Sequence, residues 1–259
     1  MNVLASSIAF ASRFRLDGAL AVVTGAGRGI GRGCALALAT AGAEIVAIGR
    51  TRTELESLAD EIAMIGGKCR VAVYDVCDRV AMNALFSDLP TLDLLVNNAG
   101  TNVPQPALEV DEATFDRIFD LNVKAAFFTA QAAARRMRDA GTRGSIINMS
   151  SQAGHVALRH RAVYCATKHA MEGFTKVMAV ELAPFGIRVN TVAPTFIETP
   201  MTKLFLADAD FADYVRANIP LGHFGTVEDI EGAVLYLASP AARLVTGTSL
   251  RVDGGWTAQ

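Results

Sequence analysis

The chain has 259 residues, 51% of them apolar, with 24 basic and 26 acidic side chains and a formal net charge of −2. That length admits one large α/β domain or two smaller ones, and the apolar fraction supplies a substantial core. The scattered charge argues against a nucleic-acid partner, which calls for a basic face, and no apolar run reaches the roughly 20 residues needed to cross a bilayer.

The four cysteines, Cys34, Cys69, Cys77 and Cys165, form no C-x-x-C pair and cluster with no histidine at ligand spacing. Four reduced thiols in a reducing cytoplasm are expected, and no metal site. The opening M-N-V-L-A-S-S-I-A-F-A-S lacks a basic n-region, so residues 1–15 read as an N-terminal arm and not as a signal peptide. From residue 16 to 259 no linker or repeat interrupts the chain, which reads as one domain.

Ala19–Thr24 is a short apolar run that suits a strand buried on both faces. T-G-A-G-R-G-I-G-R-G follows at Thr24–Gly33, then an alanine-rich helical stretch from Cys34 to Gly42. Strand, glycine-rich turn and helix form the setting in which helix amides meet a phosphate. The glycine spacing is G-x-x-x-G-x-G through Gly25, Gly29 and Gly31. A second strand, Glu44–Gly49, ends where dinucleotide folds place the acid that grips the ribose hydroxyls. Here Arg50 follows instead, and Arg28 lies in the glycine loop. Two guanidiniums and no carboxylate suit a 2′-phosphate, which favours NADP(H) over NAD(H).

Thr51–Ile65 is an amphipathic helix, Cys69–Tyr74 a third strand closed by Asp75–Val76, and Arg79–Leu89 a short helix. Leu92–Val96 is a fourth strand, followed by N-N-A-G at Asn97–Gly100, a polar turn suited to the crevice at the sheet's carboxyl edge. Asp111–Ala140 reads as one long helix with an acidic cap. Asn122, inside its apolar stretch, is either a structural bridge or a holder of water near the chemistry. Ser145–Met149 is strand five, Ile187–Val192 strand six, Thr226 opens a capped helix to Ala238, and Thr248–Val252 is the last strand. The stretch about 195–225, mixing aromatics and acids, suits a flap over a substrate, with an amphipathic helical hairpin as the alternative.

Between strands five and six, S-Q-A-G-H-V-A-L-R-H-R-A-V-Y-C-A-T-K runs from Ser151 to Lys168. Tyr164 and Lys168 stand four apart in a run of helix formers, so their side chains share a face. An ammonium beside a phenol is expected to lower its pKa toward the working range, letting it exchange a proton with a carbonyl or alcohol oxygen. A hydroxyl from Ser151 would hold that oxygen. His155, His160 and Arg161 read by default as solvated loop residues.

Taken together, T-G-x-x-x-G-x-G, Asp75–Val76, N-N-A-G, Asn122, Ser151, Tyr164, Lys168 and the closing V-D-G-G resemble the short-chain dehydrogenase/reductase family from about Leu16 to Trp256. The resemblance implies a doubly wound Rossmann α/β fold, with about seven mostly parallel strands and helices on both faces. It implies Tyr164 as general acid/base, Lys168 as the residue that tunes it and binds the nicotinamide ribose, Ser151 as the group orienting the carbonyl, and Asn122 as the holder of a water. It also implies that Gly25, Gly29, Ile30 and Gly31 lie by the pyrophosphate, Asp75 and Val76 about the adenine, Asn98 and Gly100 in the crevice, and Ile197 and Thr199 at the nicotinamide amide. Many members are homotetramers. One departure is Thr195 after Pro194, where the family usually has glycine. The wording around Ser151–Met201 is most similar to members acting on sugars and polyols. A 3-oxoacyl-thioester reductase is the alternative within the family, and a non-catalytic dinucleotide-binding regulator the alternative outside it.

Overall fold

The computed structural model describes residues 10–259, so most of the expected arm lies outside the described residues. Seven strands form a single sheet: β1 Leu20–Thr24, β2 Glu44–Gly49, β3 Cys69–Val73, β4 Leu94–Asn97, β5 Ser145–Met149, β6 Arg188–Pro194 and β7 Ser249–Val252. Their order is β3-β2-β1-β4-β5-β6-β7, and every neighbouring pair is parallel. The order reverses between β1 and β4, the point at which such sheets open a crevice beyond the strands' carboxyl ends.

Both faces of the sheet are covered, and the strands' unbroken apolar runs follow from that. Side chains alternate along each strand. Ala21, Val23, Ile45, Ala47, Ile147 and Met149 pack into one core with α1 (Gly29–Thr40), α2 (Arg52–Met64) and α9 (Val227–Ala238). Leu20, Val22, Val46, Ile48 and Ile146 pack into the other core, with α3 (Arg79–Asp88), α5 (Ala126–Asp139) and α6 (Ala162–Leu182).

Three departures from the sequence expectation bear on the site. Helix α1 begins at Gly29, inside the glycine run and not at Cys34. The long helix is α4 (Glu112–Phe119) and α5 joined by a π-helical turn at Asp120–Ala125. Its acidic cap is as expected, with the Asp111 carboxylate accepting from the Thr114 N–H at 2.8 Å. The stretch after β6 contains two helices, α7 (Pro200–Leu206) and α8 (Ala209–Ala217). A small cluster of Val215, Ile219 and Trp256, with Phe196, Phe211 and Tyr214 against it, ties α8 to the C-terminal turn. None of the described helices is long and apolar enough to cross a membrane.

Candidate active site

Beyond the carboxyl ends of β1, β4, β5 and β6 lies one cavity of about 870 Å³. Its first end is framed by Gly25, Arg28, Gly29, Ile30, Arg50, Asp75 and Val76, its floor by Asn98 and Gly100, and its second end by Ser151, Tyr164, Lys168, Ile197 and Thr199. Those sequence-predicted residues therefore share a single space. Thr51, Tyr74, Cys77, Gln152, Leu158, Thr195, Met201 and Phe205 also line it.

The glycine loop is shaped by its neighbours. Gly25 has φ +65°, a left-handed backbone that favours glycine, and a Cβ there would lie 2.9 Å from Asn98 Nδ2. Gly31 is different: it is buried and does not line the cavity. A Cβ on Gly31 would fall 2.2 Å from the Gly25 carbonyl oxygen, so its bareness lets α1 press against the loop. Thr24 Oγ1 accepts from the N–H groups of Asn98 and Ala99 at 2.9 and 3.0 Å, and Asn98 Nδ2 donates to the Thr24 carbonyl at 3.0 Å. The turn after β4 is thereby sewn to the glycine loop. Arg28 and Arg50 are both exposed at this end, and Arg50 lies 3.9 Å from Asp75.

Asn122 sits in the π turn, the kind of local helix defect that recurs at functional sites. Its Oδ1 accepts from Thr101 N–H at 2.8 Å, and its Nδ2 donates to the Thr101 carbonyl at 2.8 Å and to Thr167 Oγ1 at 3.2 Å. Both amide atoms are engaged, so the side chain pins the loop after β4 to α6.

At the second end, Ser151 is extended just past β5 and its hydroxyl accepts from Ala153 N–H at 3.2 Å. Tyr164 and Lys168 share a face of α6, with Lys168 Nζ 5.6 Å from the Tyr164 ring centre. Lys168 is buried and donates to the Met149 carbonyl at 2.7 Å. Burial pushes its pKa down to about 8, while the Glu172 carboxylate pulls it up. The net shift on Tyr164 runs upward, opposite to the lowering expected from an adjacent ammonium. Burial holds the half-buried Tyr164 phenol above its ordinary value, with the Ser151 hydroxyl opposing, the Cys165 thiol adding to the rise and Arg161 opposing it.

The polar loop before α6 is also not simply solvated. Arg161 is only 5% exposed. His155 is half-buried, with Nε2 2.9 Å from Ser249 Oγ and 3.4 Å from the buried Glu172 carboxylate. His160 is exposed as expected. Thr195 lines the cavity with its Oγ1 buried and unpartnered among the described residues.

These residues fit a nicotinamide dinucleotide. The N-terminus of α1 opens beside the cavity with glycine backbone at its mouth, two guanidiniums stand at one end, and an unpaired hydroxyl waits at the other. A parallel sheet with this switch point, carrying a phenol and an ammonium opposite a phosphate loop, defines an NAD(P)-dependent oxidoreductase. A family profile described as enoyl-(acyl carrier protein) reductase matches residues 25–257. L-xylulose reductase from Mesocricetus auratus is 43% identical over 93% of this chain and 97% of its own. D-erythrulose reductase from Gallus gallus is 44% identical over 92% and 96%. Among solved structures, a gluconate 5-dehydrogenase from Burkholderia cenocepacia J2315, in complex with NADP and tartrate, superposes with a TM-score of 0.91 at 37% identity, covering 96% of this chain and 98% of that one. The chain belongs to the short-chain dehydrogenase/reductase family.

Proposed function

We propose that this enzyme interconverts a ketone and a secondary alcohol on a small sugar or polyol, with NADP(H) as its preferred cofactor. The observation that carries the reading is the single cavity joining Tyr164, Lys168 and Ser151 to the glycine loop. The names of the relatives support the substrate class: two are reductases of neutral ketoses and one is a dehydrogenase of a sugar acid that holds NADP.

Gly25, Gly29 and Ile30 would hold the pyrophosphate against the α1 N-terminus, with Gly31 supporting the loop from behind. Arg28 and Arg50 would hold the 2′-phosphate by charge-assisted hydrogen bonds. Asp75 and Val76 would bracket the adenine, Asn98 and Gly100 shape the crevice, and Ile197 and Thr199 meet the carboxamide. When bound, the nicotinamide supplies or accepts the hydride at its ring carbon. The chain's own part is the proton and the oxygen. In reduction, the Tyr164 Oη–H bond breaks as a new O–H bond forms on the substrate oxygen, leaving an alcohol and a phenolate that is reprotonated from solvent. Ser151 donates to the same oxygen and holds the developing negative charge. Lys168 would bind the nicotinamide ribose and stabilise the phenolate through its positive charge; Asn122 would keep the loop at Thr101 and helix α6 in register.

Two further parts of the reading concern the whole molecule. Phe115 stacked on Phe119, and exposed Val177 and Val180 on α6, support a homotetramer paired through these helices. Four free cysteines support a reducing cytoplasm.

The test is a spectrophotometric screen of ketoses, polyols and keto acids with both nicotinamides, and of a 3-oxoacyl thioester. Ketose or keto-acid turnover with NADPH is expected. Turnover of the thioester alone would move the protein to acyl-chain reduction, and cofactor binding without any turnover would make it a dinucleotide-binding regulator.

A further inference from the structure

We propose that the substrate is a sugar acid, a keto-aldonate and its reduced polyhydroxy acid, and that Arg161 binds its carboxylate. This rests on the oxidoreductase reading above and narrows it.

Arg161 precedes α6 directly and stands three residues ahead of Tyr164. It is buried, yet among the described residues it has no ion pair. A buried charge without a counter-charge is strongly disfavoured unless something supplies one. Burial has already pulled its pKa below the ordinary guanidinium value.

Two aromatic rings lie against the guanidinium: its carbon is 5.3 Å from the centre of the Phe205 ring and 5.9 Å from that of Phe211. A ring beside a guanidinium attracts its charge but accepts no conventional N–H hydrogen bond, so the N–H groups must find partners elsewhere. Nη1 donates to the His160 carbonyl at 3.2 Å, while Nε is buried with no acceptor among the described residues. An edge of parallel N–H donors is the geometry that a carboxylate matches with its two oxygens. Arg161 does not itself line the cavity; it lies against Phe205, which does, and its charge is close enough to favour the Tyr164 phenolate, so the carboxylate meets it at the cavity's edge.

The backbone is set for this placement. His160 has φ +58°, a strained conformation for a residue other than glycine, and its carbonyl accepts from Gln105 N–H at 2.9 Å. The segment delivering Arg161 is held from both sides.

Other polar atoms of the cavity also lack partners among the described residues. Gln152 Nε2 and Oε1 and Asn102 Oδ1 are buried without partners, and both residues line the cavity. Buried polar side-chain atoms in folded proteins are nearly always hydrogen-bonded. A donor and two acceptors around one space fit a chain of hydroxyls. An apolar ketone or an acyl chain would leave them unpaired, and a neutral ketose would satisfy them but leave the guanidinium without its counter-charge.

The test compares two six-carbon substrates that differ at one terminus: 5-keto-D-gluconate, with a carboxylate, and L-sorbose, with a hydroxymethyl group in its place. For the wild-type enzyme with NADPH, kcat/KM for the acid is expected to exceed that for the sugar by at least about tenfold, the lower end for a hydrogen bond to a charged group. Arg161→Met is expected to collapse that ratio through a rise in KM for the acid, and Arg161→Lys to retain part of it. Should Arg161→Met fail to fold, inhibition of the wild type decides: tartrate is expected to compete with substrate at concentrations at which erythritol does not. Equal or better wild-type efficiency on L-sorbose, an unchanged ratio in Arg161→Met, or equal inhibition by the two four-carbon compounds overturns the carboxylate assignment and leaves the oxidoreductase reading standing. No turnover of any carbonyl with either nicotinamide overturns the reading beneath it.

Discussion

Replacing Lys168 with methionine is expected to leave a protein whose stability advantage over wild type shrinks as pH rises. The folded amine titrates at about 8 against an ordinary 10.5, because burial disfavours its charge. At pH 7 the charged amine lowers stability by about 3 kcal/mol relative to the neutral one. The folded pKa is the depressed one, so between about pH 8 and 10.5 the unfolded chain holds more protons than the folded chain, and stability rises with pH across that window. By pH 10 the penalty has fallen to about 0.8 kcal/mol, a change of about 2.5 kcal/mol from pH 7. The lost hydrogen bond to the Met149 carbonyl and the lost attraction to the Glu172 carboxylate, which keeps the Thr191 and Ser249 hydroxyls, shift the absolute difference between the two proteins, but not its slope with pH. With 259 residues the unfolding entropy is about 0.5 kcal/mol/K, so the difference in Tm between variant and wild type should shrink by about 5 °C. Thermal melts of both proteins followed by circular dichroism from pH 7 to 10 measure this directly, since other titrating groups cancel in the difference. A gap that stays constant or widens with pH would refute the claim that burial depresses the Lys168 amine.

Other expectations follow from the cavity's first end. Arg50→Asp should lower the ratio of NADPH to NADH efficiency by at least about tenfold, since it removes a charged hydrogen-bond donor and adds repulsion toward a 2′-phosphate; steady-state kinetics with both cofactors check it, and an unchanged ratio removes Arg50 from cofactor selection. Gly31→Ala forces a Cβ to within 2.2 Å of the Gly25 carbonyl oxygen and 2.5 Å of Asn98 Nδ2. The loop must shift, so NADPH affinity should fall and stability drop by about 1–3 kcal/mol, as for overpacked sites. Fluorescence titration and denaturant unfolding read the two effects, and wild-type values in both would show that the loop yields freely.

Much of this molecule could be read from its residues because local and global signals agree. Apolar runs such as L-A-V-V-T and E-I-V-A-I-G suit strands buried on both faces, and β2 falls on its expected residues. The i,i+4 spacing of Tyr164 and Lys168 by itself puts both on one helical face. What escaped depends on three-dimensional surroundings. A π turn at Asp120–Ala125 slips the helix hydrogen bonds without breaking the apolar pattern, so D-L-N-V-K-A reads as ordinary helix. The direction of the Tyr164 shift depends on how much water the fold removes from the phenol, a quantity that spacing does not contain. Gly31 belongs to a motif associated with phosphate, yet here it serves the contact between α1 and the loop. Arg161 lies in a run, H-V-A-L-R-H-R, whose charges suggest solvent; its burial beside Phe205 and Phe211 depends on residues some forty to fifty positions further along the chain.

The central claim is that Tyr164 gives and takes the substrate proton, and the turnover number of Tyr164→Phe tests it most directly. Phenylalanine keeps the ring and loses only the hydroxyl, so NADPH should still bind, with an affinity confirmed by fluorescence. Followed by the loss of NADPH absorbance on a substrate the wild type reduces, kcat is expected to fall by at least about a hundredfold, the lower end for general acid catalysis. A variant that binds NADPH and turns over at the wild-type rate would contradict the account.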